Sequence, residues 1–173
     1  MPEPALLYLD QNYLSGMVKR KPAFRELELA LREAINRGAV AVPESAAHRL
    51  ESAVRPDLPL LELLRELSRG ARLPDESGAG EHNLERRLAR FLESHFPERR
   101  PRASDQVDLR ALAIALPRCR LVTCDAFMAD VVRRAGLDRR FGCELYSGKR
   151  DDVLRLRDRV AGLIAPETSP GAG

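Results

Sequence analysis

Apolar residues are distributed along this chain in two ways. Unbroken runs at residues 5–9 (ALLYL), 39–42 (AVAV) and 121–124 (LVTC) have the length and residue types of strands buried on both faces. Residues 142–146 can form one more. Between these runs, apolar positions recur every three or four residues, the spacing of one helix face. The clearest case is Phe24, Leu27, Leu31 and Ile35, opened by Pro22 and closed by Gly38. Further helices are expected from Asp10 to about Lys19, in the stretch PESAAHRLES, through LPLLELLRELSRG up to Gly70, and over 81–95, where Leu84, Leu88, Phe91 and Leu92 form the stripe. Another runs from Ser104 to Pro117, and others cover 126–135 and 151–164. Residues 71–80, with Pro74, Ser77, Gly78 and Gly80, lack periodicity and are expected to be a loop.

Strands alternating with helices predict an α/β fold. The expectation is a three-layer, Rossmann-like arrangement, with a central, mostly parallel sheet of about four or five strands flanked by helices. The length, 173 residues, suits one domain, taken as 1–164 with a charged helical insertion around 71–103. The Pro- and Gly-rich end, 165–173, is expected to be a disordered tail.

Composition narrows the function less than the fold. No apolar run approaches the ~20 residues of a membrane span, so no membrane association is expected. The first residues, MPEPALLYLD, lack a basic region and a signal-like apolar segment, which makes a cytoplasmic location the expectation. Lys and Arg exceed Asp and Glu by 29 to 26, an excess compatible with phosphate binding but insufficient to imply it. Cys119, Cys124 and Cys143 are odd in number without paired spacing, and are expected to be reduced and buried rather than zinc ligands.

The positions of the acids say more. Asp10 and Asp125 fall at the ends of predicted strands, where open parallel sheets place ligands. Asp105 and Asp108 are expected in the first turn of the helix that begins at Ser104. Glu44, His48 and Glu51 are spaced by four and then three residues, and so are expected on one helical face. Each acid also has an ordinary reading: Asp10 and Asp105 as helix caps, Glu44 as a partner of a helix dipole, His48 as a satisfied core histidine. Taken together, carboxylates on one edge of a sheet repel unless a cation neutralises them, and oxygen-only donors favour Mg²⁺ or Mn²⁺. Arg99, Arg100 and Arg102, in a loop running into the Ser104 helix, are candidates to hold substrate phosphates beside such a site.

The segment ALPRCRLVTCDAF, with Asp108 before it and Asp125 at its strand end, resembles the carboxy-terminal half of PIN-like (PIN domain) nucleases of bacteria, and LDQN at 9–12 resembles the LDxN with which such domains begin. The resemblance spans Leu6 to about Tyr146. It implies metal-dependent endoribonuclease activity at Asp10, Glu51, Asp108 and Asp125, with Asn12, His48, Asp105 and Thr123 in support and Glu44 the rival of Glu51 for the second acid. It further implies RNA as substrate, and such nucleases include both toxins neutralised by an antitoxin protein and RNA-processing enzymes; a toxin–antitoxin pair and a homodimer are further expectations. The alternative is a catalytically inactive PIN-like module that binds protein or RNA.

Overall fold

The computed structural model describes residues 2–75 and 78–164, so the expected tail at 165–173 and Ser77 of the expected loop lie outside the described residues. The elements are β1 (Ala5–Tyr8), α1 (Gln11–Val18), α2 (Pro22–Asn36), β2 (Val40–Ala41), α3 (Ala46–Val54), α4 (Leu60–Ser68), α5 (Ala79–His95), α6 (Ala103–Ala115), β3 (Leu121–Thr123), α7 (Ala126–Arg134), α8 (Leu137–Phe141), β4 (Glu144–Tyr146) and α9 (Arg150–Ile164). The strands form one all-parallel sheet in the order β2-β1-β3-β4. The protein is thus α/β, with helices on both faces of the sheet.

The two faces are built from alternate residues of the same strands. Leu7 and Leu9 of the first run, Leu121 of β3 and Tyr146 of β4 pack with residues of α1, α2, α4 and α9. Tyr8, Val122 and Leu145 point the other way, into a second cluster with residues of α5, α6 and α7. Leu7, Leu9, Leu121 and Val122 are fully buried, as strands covered on both sides must be. At roughly 25 cal/mol per Å² of apolar surface, such side chains supply the main drive to this fold.

Three local features settle how the chain reverses between layers. Pro22 occupies the first turn of α2, where its missing N–H costs nothing. Gly38, at φ +69°, follows that helix in the left-handed region before β2. Gly136 and Gly142, both at positive φ, bracket α8, a five-residue helix that periodicity does not reveal. The charged segment around 71–103 also contributes to the core: Leu84 and Leu88 of α5 are buried against α6.

The strand order also creates a crevice. From β1 the chain crosses through α2 to β2 on one side, whereas β3 lies on the other side of β1. The connections therefore diverge between β1 and β3, and the sheet opens at the carboxyl ends of these two strands.

Candidate functional site

Asp10 and Asp125 stand on either side of that crevice. Each follows its strand and caps the next helix. The Asp10 carboxylate accepts a hydrogen bond from the Tyr13 amide at 3.3 Å, and Asp125 accepts from the Met128 amide at 2.7 Å. The cap reading is therefore correct for Asp10, and Asp125 caps its helix in the same way; each cap contributes about 1 kcal/mol. Thr123, fully buried on β3, holds Asp10 across the sheet: its hydroxyl accepts from the Asp10 amide at 2.8 Å and lies 3.0 Å from Asp10 Oδ1.

Two further acids come from helices. Asp108 and Glu51 line the same cleft as Asp10 and Asp125, a cavity of about 190 Å³ that also includes Tyr8, Asn12 and Ser104. Because α6 starts at Ala103, Asp108 lies in its second turn and not in the first, as the sequence suggested. Glu51 is held over the cleft by α3, whose backbone is tied to α1 by the Gln11 side chain donating to the Glu51 carbonyl at 3.3 Å. Among the described residues, no hydrogen-bond donor reaches the carboxylate of Asp108 or of Glu51.

The electrostatics reflect this lack of partners. Burial raises Glu51 to about 7, with the charges of Asp108 and Asp10 adding to the shift. Asp108 rises to about 6 through burial and then the charges of Asp125, Asp10 and Asp105, against which Arg99 acts weakly. Burial likewise brings Asp10 to about 6, although its hydrogen bonds to Thr123 and Tyr13 oppose the rise. Tyr8, whose position was read only as a strand residue, also lines the cleft. Burial, followed by the Glu51 and Asp10 charges, keeps its hydroxyl protonated far above its ordinary range.

The structure separates the remaining candidates from this group. Glu44 does not share a helical face with His48 and Glu51, because it precedes α3 and forms a parallel bridge with Arg72. Glu44 is 2% exposed, and its carboxylate accepts from Arg49 at 2.9 Å and Arg65 at 3.4 Å. Burial pushes this carboxyl up, but the arginines prevail and hold it below its usual value. Asp105 is gripped by Arg99 through two bonds of 2.6 and 3.0 Å and accepts from the Arg102 amide, so it fastens the 96–102 loop to α6. Arg99 is consequently committed to Asp105. Arg100 and Arg102 are exposed, form no ion pair among the described residues, and do not line the cleft.

His48 is a core histidine with a specific task. Its Nδ1 accepts from the Ser45 amide at 3.0 Å, so that nitrogen carries no proton and Nε2–H donates to the Leu9 carbonyl at 2.5 Å. Burial lowers its pKa and keeps the ring neutral. The ring therefore pins the start of α3, which carries Glu51, to the end of β1, which carries Asp10. The three cysteines are free and buried, as expected, and burial raises the Cys119 thiol to about 12.

The residues suit a hard divalent cation by type, since the cleft offers four carboxylates, two side-chain amides and hydroxyls. Cys124 also lines it, but burial keeps that thiol protonated. The acids are not drawn into a tight chelate: no group of three or more His, Cys, Asp or Glu among the described residues stands close enough to hold an ion as placed. Carboxylates without a counter-charge repel one another, and the raised values at Asp10, Glu51 and Asp108 express that repulsion together with burial.

The fold and cleft define an α/β protein with an acidic crevice at its topological switch point. No protein-family model matches the chain, and no curated protein or solved structure does so. No described helix is long and apolar enough to cross a membrane.

Proposed function

We propose that the protein is a Mg²⁺- or Mn²⁺-dependent ribonuclease of the PIN-like kind, hydrolysing phosphodiester bonds at the cleft of Asp10, Glu51, Asp108 and Asp125. The observation that carries this reading is the convergence of four carboxylates at the switch point, two of them without any hydrogen-bond donor among the described residues and three with raised pKa values. Structural acids are normally paired, as Glu44 and Asp105 are; unpaired acids gathered in a cleft indicate a site.

In this reading Asp10, Asp108 and Asp125 hold the ion and Glu51 completes the acidic wall. A bound divalent ion would activate water and stabilise charge on the attacked phosphate. The chain's own contribution is positional. Thr123 and the helix amides fix Asp10 and Asp125, His48 fixes the approach of α3, and Asn12 and Ser104 offer neutral hydrogen-bonding groups at the cleft wall. Tyr8 is a further residue of the cleft lining, and burial keeps its hydroxyl protonated. The same reading extends to a toxin partnered by an antitoxin protein.

Cleavage of labelled single-stranded and structured RNA with Mg²⁺ or Mn²⁺, by wild type and by Asp108→Asn and Glu51→Gln, tests the proposal. Metal-dependent cleavage that both substitutions abolish is expected. Cleavage unaffected by both would overturn the assignment.

A second reading, a catalytically inactive module that binds RNA or protein, is favoured by one observation: Asp10 and Asp125 already serve as helix caps. It predicts that Mn²⁺ leaves the melting temperature unchanged while partner binding is intact.

A further inference from the structure

Asp10 sits between two residues that are each tied to α3. On one side of it the Leu9 carbonyl accepts from His48 Nε2 at 2.5 Å, and on the other Gln11 Nε2 donates to the Glu51 carbonyl at 3.3 Å. His48 and Glu51 are three residues apart, about one helical turn, so both ties leave α3 from the same face. They run in opposite senses. A side chain of α3 reaches the backbone next to Asp10, and a side chain next to Asp10 reaches the backbone of α3.

Packing supports only the first tie. The buried residues of α3 are Ala47 and His48, both in its first turn, whereas Leu50 and Val54 in its second half are 57% and 82% exposed. Glu51 belongs to that thinly packed half. Helical bonding does not secure it either, because the Arg55 amide, which would close the last turn on the Glu51 carbonyl, donates to the Ser52 carbonyl instead, at 3.3 Å. A carbonyl left without its amide in the last turn of a helix needs another donor, and Gln11 supplies it. Among the described residues, this is the one hydrogen bond that reaches residues 50–54 from another helix or strand. Gln11 is half-buried and lines the cleft together with Asp10 and Glu51.

We propose that Gln11 is a positioning residue: by completing the last turn of α3 from across the cleft, it sets the separation of the Asp10 and Glu51 carboxylates and so the fit of the site to a divalent ion. This rests on the metal site of the ribonuclease reading. Gln11 acts through the backbone of Glu51, and Asp108 and Asp125, carried by α6 and by the end of β3, keep their places without it. His48 holds the end of α3 that burial already assists; Gln11 governs the end that carries the acid.

The test measures Mn²⁺ affinity of the full chain by titration calorimetry in four proteins: wild type, Gln11→Met, Glu51→Gln and the double variant. Methionine keeps the length of the side chain without its donor. Gln11→Met is expected to weaken Mn²⁺ about tenfold, the low end for groups that orient a metal ligand, and Glu51→Gln at least as much. The double variant should bind no more weakly than Glu51→Gln alone, since Gln11 then has no carboxylate left to position. Amide hydrogen exchange without metal gives a second reading: amides of residues 50–54 should exchange about tenfold faster in Gln11→Met, with those of α1 and α6 unchanged. A Gln11→Met protein that binds Mn²⁺ and exchanges like wild type overturns the proposal. So does a loss of affinity that adds in full to that of Glu51→Gln, or faster exchange spread through α1 and α6, which is the mark of a general structural role. RNA cleavage by wild type separates the two claims. If wild type binds Mn²⁺ and the cycle holds but no RNA is cleaved, the ribonuclease reading falls and Gln11 keeps its role, whereas a wild type that binds no Mn²⁺ loses both.

Discussion

Glu44 and Glu51 come from one short stretch, as do Asp105 and Asp108, yet within each pair the two acids have opposite surroundings. Glu44 and Asp105 are buried against arginines that hold them below their usual values, Glu44 by Arg49 and Arg65, and Asp105 chiefly by Arg99. Glu51 and Asp108 face a shared cleft with no donor among the described residues, and their values rise. The first pair joins segments of the chain; the second is left with charge that the fold does not neutralise. Partnership, more than burial, separates a structural acid from a candidate site.

Substitutions should divide along the same line. The largest effect is expected on RNA cleavage in Asp108→Asn, a loss of at least about a hundredfold, on the scale of removing one charge-stabilising group from an active site. Glu44→Gln should leave cleavage by the remaining folded protein nearly unchanged, which a cleavage assay normalised to the folded fraction would check. Stability should show the reverse. Glu44→Gln gives up charge-assisted bonds to Arg49 and Arg65 and should destabilise by roughly 2–3 kcal/mol in urea unfolding.

Asp108→Asn should instead stabilise the metal-free protein by about 1 kcal/mol, since it removes a charge that raises Glu51. Finding both substitutions destabilising would break the comparison. The pH dependence has a definite sign. Asp10, Glu51 and Asp108 bind protons more tightly folded than unfolded, so between about pH 4 and their folded values near 6 to 7 the native state carries more protons. Their contribution to metal-free stability is therefore greatest at the acid end and is lost as pH rises through that window. Urea unfolding at pH 5 and pH 7.5, wild type against Asp108→Asn, should show the slope reduced in the variant.

A further effect is expected at His48. His48→Gln can keep one hydrogen bond to the Leu9 carbonyl, whereas His48→Leu cannot. The leucine variant should lose about 1–2 kcal/mol from the unpaired carbonyl and amide, and more of its activity than the glutamine variant. Equal loss in both would show that ring packing on Tyr8, with centroids 5.0 Å apart, matters and the bond to Leu9 does not.

Much of this arrangement was legible in the sequence because it depends on local order. Runs such as ALLYL and LVTC announce strands buried on both faces, and an acid after each strand falls at the crevice whatever the loops do. Asp108 and Glu51 could be singled out by spacing, but their environment could not. The arginines that neutralise Glu44 include Arg65, from a helix beyond the next turn, and bridge formation with Arg72 removes Glu44 from the helix it seemed to begin. The start of α6 at Ala103, with Asp105 accepting from the Arg102 amide, places Asp108 in the second turn. Tyr8 escaped notice since an aromatic residue in a strand is ordinarily core. A depression beside α6 was hidden as well, since its lining comes from α5, the 96–102 loop and α6 together.

The central claim is that the unpaired carboxylates form a divalent-cation site. Titration calorimetry of Mn²⁺ into the metal-free chain near pH 6.5, in two buffers of different ionisation enthalpy, tests it most directly. Binding accompanied by proton release, and weakened at least tenfold in Asp108→Asn, is the predicted result. No binding at millimolar Mn²⁺, or binding that Asp108→Asn leaves unchanged, would contradict it.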